Sequence, residues 1–252
     1  MNQTGPLIVN REDDLLTLTL NRPDQANSLN AGLVESLIEA LTNASDTRLC
    51  VIKAEGKHFC TGFDLSDLET VSDGDLLLRF VRIEQMLQLF HHAPFPIIAL
   101  AQGQIIGAGA DLFAACWTRV TSAQGRLKFP GWQFELALGS RRLSRLIGPD
   151  AARDLLIDSR GISADQALAC GLASEVQAQS VWPELIAEKL RRCRELPQSA
   201  LTQMLELTTS DSRSEDIAAL VISAAKPGLK QRIIDYRSKV LAAKAYASKF
   251  TN

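Results

Sequence analysis

The 252-residue chain has little of several features that mark particular protein classes. No apolar run approaches the ~20 residues that span a bilayer. The first residues carry neither the basic start nor the apolar core of a secretion signal. The 27 Lys and Arg residues and 29 Asp and Glu residues give a net charge of −2, so no basic surface for nucleic acid is indicated. We therefore expect a cytoplasmic protein that contacts neither membranes nor nucleic acid.

Recognisable metal and nucleophile motifs are also absent. The five cysteines are odd in number and fit no zinc or redox spacing, so buried free thiols are expected. The three histidines, His58, His91 and His92, lie in no metal-ligand motif, and no metal site is expected. The sequence has no Gly-x-Ser-x-Gly elbow, although a Ser-His-Asp triad assembled from distant positions stays open.

Strand and helix patterns alternate up to about residue 180, and helical patterns alone follow, which predicts an α/β fold. We expect a core over residues 1–185 and a helical region over residues 186–252. The sequence predicts a hairpin over 7–20 and further strands at 49–53, 97–101, 119–121 and 175–176. Helices are expected at 30–43, 75–91, 109–116, 139–146, 151–157, after a capping box at 163–166, and at 183–195, 199–208, 214–224 and 229–247.

The stretch Gly107–Asp111 is the most informative local feature. It lies between two apolar runs and is typical of a strand, a glycine-rich turn and a helix. Backbone amides at such a helix start bind anions or stabilise an oxyanion, because they lack intrahelical partners. Close packing alone also explains small residues before a buried helix.

A second strand and turn support a site. Residues 57–68 follow the strand 49–53 and pass through Gly62, after which the pattern looks helical. Two such turns can each supply one N–H to a shared oxygen, as in enzymes that form tetrahedral intermediates or enolates.

Five motifs, in order and with the expected spacing, resemble the crotonase family of enoyl-CoA hydratases and isomerases. The resemblance covers about residues 8–180. Its motifs are Leu20-Asn21-Arg22-Pro23 with Asn27–Asn30, Phe59–Leu65, Ala101–Gly103 with Gly107–Asp111, Arg142-Leu143 with Gly148, and Ile162–Ala164 with Gly171–Ala173.

The resemblance implies a spiral of ββα units and a helical C-terminal part that forms homotrimers, often paired into hexamers. It also implies an acyl-CoA substrate, with coenzyme A as part of the substrate and no other cofactor. The N–H groups of Phe63 and Ala108 would hold the thioester oxygen. The implied substrate-binding residues are Gln25 and Ala26 near adenine, Phe63, Asp64, Leu65 and Ser66 along the pantetheine and nucleotide, and Gly107 with Ala108.

The catalytic carboxylates depart from the family pattern. Asp111 stands where the hydratases have their first glutamate, and an Asp also occupies this place in the dienoyl-CoA isomerase branch. Gly131 stands where the second glutamate is expected. Glu135 and His58 are candidate substitutes, although an exposed loop carboxylate explains Glu135 at least as well and a surface histidine is the favoured interpretation of His58.

We therefore expect an enoyl-CoA hydratase or isomerase with Asp111 as its acid and base. Two alternatives stay open because of Gly131. One is a double-bond isomerase or a thioester- or C–C-cleaving enzyme that needs a single carboxylate. The other is an acyl-CoA-binding protein that has lost its chemistry.

Overall fold

The computed structural model describes residues 5–248, with side chains through residue 243. Its strands are β1 Leu7–Glu12, β2 Leu15–Leu20, β3 Leu49–Ala54, β4 Ile97–Ala101, β5 Gln104–Ile106, β6 Thr118–Thr121, β7 Arg126–Lys128, β8 Ile162–Ser163 and β9 Glu175–Val176. Its helices are α1 Ala31–Thr42, α2 Asp73–His91, α3 Ala108–Ala115, α4 Ser140–Ile147, α5 Pro149–Asp158, α6 Ala164–Ala169, α7 Trp182–Arg194, α8 Gln198–Thr208, α9 Arg213–Ala224 and α10 Leu229–Ser248.

The larger sheet has the strand order β1-β2-β3-β4-β6-β9. β1 and β2 form the expected antiparallel hairpin, with Leu7 opposite Leu20. The remaining neighbours in this sheet pair in parallel, so helices must connect them. The carboxyl ends of β3 and β4 therefore lie at one edge, where the two glycine-containing turns begin.

Alternate residues of the central strands are buried on opposite faces of this sheet. Cys50 and Ile52 of β3 join the main apolar core with α1 and α2. Leu49 and Val51 join a second core, to which α7 contributes Trp182. Both faces are covered, and this explains why the central strands β3 and β4 are almost uniformly apolar.

A smaller sheet has the order β5-β7-β8 and was not expected from the sequence. Its strands have only two or three residues, too few to show a periodicity. Gln104 of β5 pairs with Arg126 of β7, and this pairing fixes the direction in which the chain enters α3.

One local prediction was wrong: the segment after Gly62 is not a helix. Phe63 instead forms a β-bridge with Leu29, and the Ser66 amide donates to the Asp64 carboxylate at 2.9 Å, which makes a turn. These contacts replace the helical hydrogen bonds, and the next helix begins only at Asp73.

The helical C-terminal region is present as expected, but the boundary at residue 185 falls inside α7. Leu220 of α9 and Ile233 of α10 lie in the main core. The division into two units stays a prediction. Among residues 5–248, no helix is both long and apolar enough to cross a membrane.

Candidate active site

The two turns predicted to act together do meet. Cys60 and Ile105 form a parallel β-bridge, and the Ile106 amide donates to the Cys60 carbonyl at 2.9 Å. Gly62 has φ +87°, and a methyl group built on it would lie only 2.7 Å from the Ile106 carbonyl oxygen. The same methyl group would lie 3.3 Å from the Ala108 nitrogen. The backbone on either side of the Gly62–Phe63 bond therefore abuts the start of α3.

The amides of Phe63 and Ala108 have no acceptor among residues 5–248. Leu29 donates to the Gly62 carbonyl and accepts from Asp64, so the N–H of Phe63 faces away from that pairing. Ala108 is the first residue of α3, where an amide has no intrahelical partner. The structure therefore brings two unoccupied donors to one place.

Both residues line a cavity of about 140 Å³. Its walls come from both turns, from α2, α3, α5 and α10, and from the 3-10 turn Gly131–Phe134. Most of its lining is apolar, and Asp111 is its one charged residue within the described chain. The lining residues are Thr61, Gly62, Phe63, Leu65, Phe80, Ile106, Gly107, Ala108, Asp111, Phe129, Pro130, Gly131, Trp132, Phe134, Leu136, Leu138, Leu156, Ile233 and Tyr236.

Asp111 lies one turn into α3 and is 6% exposed. Burial raises the pKa of its carboxyl well above the usual range; the nearby Arg142 opposes this shift and Glu84 adds to it. A methyl group built on Gly139, which has φ +64°, would lie 2.0 Å from Asp111 Oδ1. Only a glycine at residue 139 therefore leaves room for this carboxylate.

Arg142 is held behind the cavity by a buried ionic network. Its two terminal nitrogens bind the two carboxylate oxygens of Glu84 at 2.9 and 2.6 Å. A second partner is Asp216, whose carboxylate lies 3.5 Å from an Arg142 nitrogen. These residues link α2, α4 and α9. Because Glu84 and Asp216 balance the charge of Arg142, burial is the main influence on the pKa of the Asp111 carboxyl.

The residues expected to bind coenzyme A lie beside the same turns. Ala26 accepts from both the amide and the hydroxyl of Thr61, each at 3.2 Å. Gln25 is exposed next to it. Asp64 pairs with Arg22 at 2.8 Å. Leu65 lines the cavity, and Ser66 is exposed at its edge.

Burial acts against ionisation of Asp64, but its contacts with Ser66 and Arg22 outweigh burial and lower the pKa of its carboxyl. Asp64 is thus an anchor for Arg22 and for the turn at Ser66. The association of these residues with coenzyme A stays a prediction.

Glu135 is not brought to the cavity. Its carboxylate pairs with Lys226 at 3.1 Å and is 57% exposed. His58 also does not line the cavity. Its Nδ1 accepts a hydrogen bond from the Gln104 amide at 3.1 Å. Gly131 does line the cavity, as its position in the family pattern implies. The structure therefore offers Asp111 alone as a carboxylate in the cavity within the described chain.

Several wall residues were not predicted, because they come from helices distant in sequence. Phe80 stacks on Phe63 with ring centroids 4.5 Å apart. Tyr236 of α10 packs on Phe134 at 5.3 Å. Trp132 and Phe134 also line the cavity.

No cluster of three or more His, Cys, Asp or Glu side chains able to hold a metal occurs among the residues with described side chains. The catalytic groups expected from the sequence that do line the cavity are two amide donors and one buried carboxylate.

Comparison with known proteins agrees with the geometry. A family model described as enoyl-CoA hydratase/isomerase matches residues 10–228. A "Probable enoyl-CoA hydratase" (echA6) of Mycobacterium leprae is 34% identical over 180 residues, covering 68% of this chain and 70% of that protein. The 2,3-dehydroadipyl-CoA hydratase of Escherichia coli K12 is 32% identical over 212 residues, covering 79% of this chain and 81% of the relative.

Solved structures give the same result. A protein of Bordetella parapertussis, named "putative enoyl-CoA hydratase/isomerase", superposes with a TM-score of 0.91 at 40% identity, covering 92% of this chain and 98% of the other. An enoyl-CoA hydratase of Bacillus anthracis shares the fold, with a TM-score of 0.77 at 24% identity, covering 97% and 96% of the two chains. The crotonase-like α/β fold expected from the sequence is confirmed.

Proposed function

Because this chain belongs to the enoyl-CoA hydratase/isomerase family, we propose that it is an enzyme that stabilises a thioester enolate of an acyl-CoA substrate. The amides of Phe63 and Ala108 donate to the thioester oxygen, and Asp111 transfers the proton. Coenzyme A enters as part of the substrate, and the proposed chemistry requires no separate cofactor.

One observation carries this proposal: two backbone donors without acceptors share an apolar cavity with a single buried carboxylate. Negative charge grows on the thioester oxygen when a nucleophile adds to C3 or a proton leaves C2. Two fixed donors stabilise that charge in the transition state, and each such donor typically contributes about 10²–10³ in kcat.

The environment of Asp111 suits proton transfer. Burial raises the pKa of its carboxyl well above the usual range, and general acid–base catalysis favours a pKa that lies nearer the operating pH than that of an exposed aspartate. Such a carboxylate takes a proton more readily than an exposed aspartate. It still becomes ionised as the pH rises, so its base form remains available.

The experiment is an assay of a short 2-enoyl-CoA with the wild type and Asp111→Asn. We expect Asp111→Asn to lower kcat by about 10²-fold or more, since general acid–base groups contribute about 10²–10⁴-fold. Glu135→Gln is the matched control, because its carboxylate lies at the surface with Lys226, and it should keep wild-type kcat. Equal rates for the wild type and Asp111→Asn would remove Asp111 from its role. Acyl-CoA binding without any turnover would favour a binding protein.

Gly131 favours a second candidate, double-bond isomerisation. A single carboxylate can remove a proton from one carbon and return it to another, whereas water addition requires a second proton-transferring group. Mass spectrometry of the product separates the two reactions, because hydration adds the mass of one water and isomerisation adds nothing. Thioester or C–C cleavage would instead release a smaller acyl product.

The cytoplasmic location and the homotrimer, or pair of trimers, remain part of this proposal. They rest on the family resemblance and on the composition of the chain. Sedimentation of the purified protein tests the assembly independently of activity.

A further inference from the structure

We propose that the hydroxyl of Tyr236 is the second proton-transferring group of the site and donates the proton that C2 receives during hydration. This inference rests on the proposed enolate chemistry and extends it. Tyr236 lies on α10, more than 100 residues from the turns that hold the thioester, and it lines the same cavity as Asp111.

The first argument is elimination among the polar side chains that line the cavity. Thr61 donates its hydroxyl to the Ala26 carbonyl at 3.2 Å, and Trp132 donates its indole N–H to Ser140 at 3.0 Å. Asp111 is assigned as the base. The Tyr236 hydroxyl has no hydrogen-bond partner among the residues whose side chains are described, so it is available to a substrate or a water.

The second argument is position. A methyl group built on Gly131 would have one neighbour within 4 Å, the Leu136 carbonyl oxygen at 3.1 Å, so a side chain fits there once this carbonyl shifts by a few tenths of an ångström. Residues i and i+3 of a 3-10 turn face the same side, which places Gly131 and Phe134 together. Tyr236 packs against Phe134 with ring centroids 5.3 Å apart, and Gly131, Phe134 and Tyr236 all line the same cavity.

The third argument is protonation. Burial raises the pKa of the Tyr236 phenol, so it remains a donor throughout the neutral range. Burial also raises the pKa of the Asp111 carboxyl. The phenol is assigned as the proton donor and the ionised form of Asp111 as the base, the two roles that acid and base catalysis require.

The reaction balances with these two groups. Asp111 takes one proton from water while the water oxygen bonds to C3, and the C2=C3 electron pair becomes part of the enolate held by Phe63 and Ala108. The enolate re-forms the thioester carbonyl as C2 takes the proton of Tyr236. The phenolate then regains a proton, equivalent to the one held by Asp111, through solvent. The sum is the addition of one water.

The test compares two reactions of the full-length protein, hydration of a 2-enoyl-CoA and isomerisation of the matching 3-enoyl-CoA. Tyr236→Phe keeps the ring that packs on Phe134. We expect it to lower kcat for hydration by about 10²-fold or more, with KM changed by less than about threefold. In the wild type, we expect the hydration rate to fall at high pH as the phenol loses its proton. This fall should be absent in Tyr236→Phe. Isomerisation depends on Asp111 alone and should fall much less than hydration.

Rescue provides the control. Adding Gly131→Glu to Tyr236→Phe should raise hydration at least about tenfold, because it supplies a carboxyl donor at the cavity wall. Gly131→Gln has the same size without an ionisable proton and should give no rescue. Melting curves of each variant report whether the fold is retained.

Wild-type hydration rates in Tyr236→Phe would overturn the assignment. An equal fall of both reactions with a raised KM would also overturn it, because the tyrosine would then only shape the cavity. A wild type that isomerises without hydrating contradicts the role of Tyr236 and leaves the enolate site intact. A wild type that does neither contradicts the proposed function itself.

Discussion

Asp111 is a carboxylate placed where ionisation is unfavourable. It is almost fully buried among apolar walls, and no hydrogen bond to it occurs among the described residues. Removing a charge from water costs several kcal/mol unless it is paired, and Arg142 is committed to Glu84. The raised pKa of Asp111 therefore means that its ionised form destabilises the folded protein.

The first prediction is that Asp111→Asn is more thermally stable than the wild type at pH 8. The folded pKa of Asp111 lies above its unfolded value near 3.8, so the folded state binds the proton more tightly. Stability from this group is therefore present below the unfolded pKa and is lost as the pH rises through the folded pKa. The amide cannot ionise, so the gain at pH 8 should vanish at about pH 3.5. Melting temperatures of both proteins across this range measure it.

Asp67→Asn is the control, because its effect on stability should depend on pH in the opposite direction. The side-chain contact with Arg79 lowers the pKa of Asp67, so its contribution is present above the unfolded pKa and is lost as the pH falls. This half-exposed pair contributes little, and Asp67→Asn should be slightly less stable at pH 8. A melting temperature of Asp111→Asn at or below that of the wild type at pH 8 would contradict the burial argument.

The sequence was sufficient for residues whose role depends on local backbone. Phe63, Ala108 and Asp111 belong to two turns with recognisable glycines, and the structure brings them to one cavity. Glu135 could not be placed from sequence, because its backbone has φ +60° and its side chain turns to Lys226. Tyr236 could not be connected to the cavity, since nothing local indicates which helix face closes it.

At the scale of elements, the site depends on how closely α3 approaches the turn at Cys60. Gly109 lies on the contacting face of α3, and a methyl group built on it would meet Cys60 at 2.5 Å from its carbonyl oxygen and 2.7 Å from its Cβ. Gly109 does not line the cavity, but its lack of a side chain sets the spacing between the amide donors of Phe63 and Ala108.

We predict that Gly109→Ala lowers kcat/KM by about 10²-fold, because a shift of about 1 Å in a donor has an effect of that size. Overpacking should also lower the free energy of unfolding by about 1–3 kcal/mol. Gly74→Ala is the matched control on α2, where the nearest atom is Ser72 Oγ at 3.6 Å. It should leave activity unchanged and add up to about 1 kcal/mol, which urea unfolding measures. If Gly109→Ala were destabilised but fully active, the spacing between α3 and the turn at Cys60 would not control catalysis, and the prediction would be wrong.

The helices and the strands of the larger sheet were predictable, whereas the strands of the smaller sheet were not. The apolar period of α2 and the capping box at Ser163 gave helices close to those observed. β5, β7 and β8 are defined by their pairing in the smaller sheet, so no local property of any one of them predicts it. The segment after Gly62 was wrongly given helical character, because pairing of Phe63 with Leu29 outweighs local preference.

At the scale of the whole molecule, the cavity is assembled from elements that span most of the chain. Phe80 on α2, Leu156 on α5 and Ile233 on α10 close its walls around the two turns. Periodicity reports which side of a helix is buried but not what it is buried against. The size and polarity of the cavity are therefore properties of the packed fold alone.

The size and polarity of the cavity predict the length and charge of the acyl chain that it accepts. An apolar protein cavity of about 150 Å³ holds benzene, so about 140 Å³ suits an uncharged chain end of about four to six carbons. We expect kcat/KM for a ten-carbon chain to be at least about tenfold lower than for an uncharged four- to six-carbon chain. The value for a six-carbon chain that ends in a carboxylate should be lowered as much. Asp111 is the one charged residue lining the cavity within the described chain, so no cation there offsets the cost of desolvating that carboxylate.

Leu156→Ala should shift the preference, because it removes part of a cavity wall and leaves room for additional methylenes. The ratio of kcat/KM for the ten-carbon chain to that for the four-carbon chain should rise about tenfold, since each buried methylene contributes about 0.8 kcal/mol. Leu168→Ala truncates an exposed leucine on α6 that is not part of the cavity and should leave the ratio unchanged. A wild type that prefers the ten-carbon chain would show that the acyl group extends beyond this cavity, and the size of the cavity would then not set specificity.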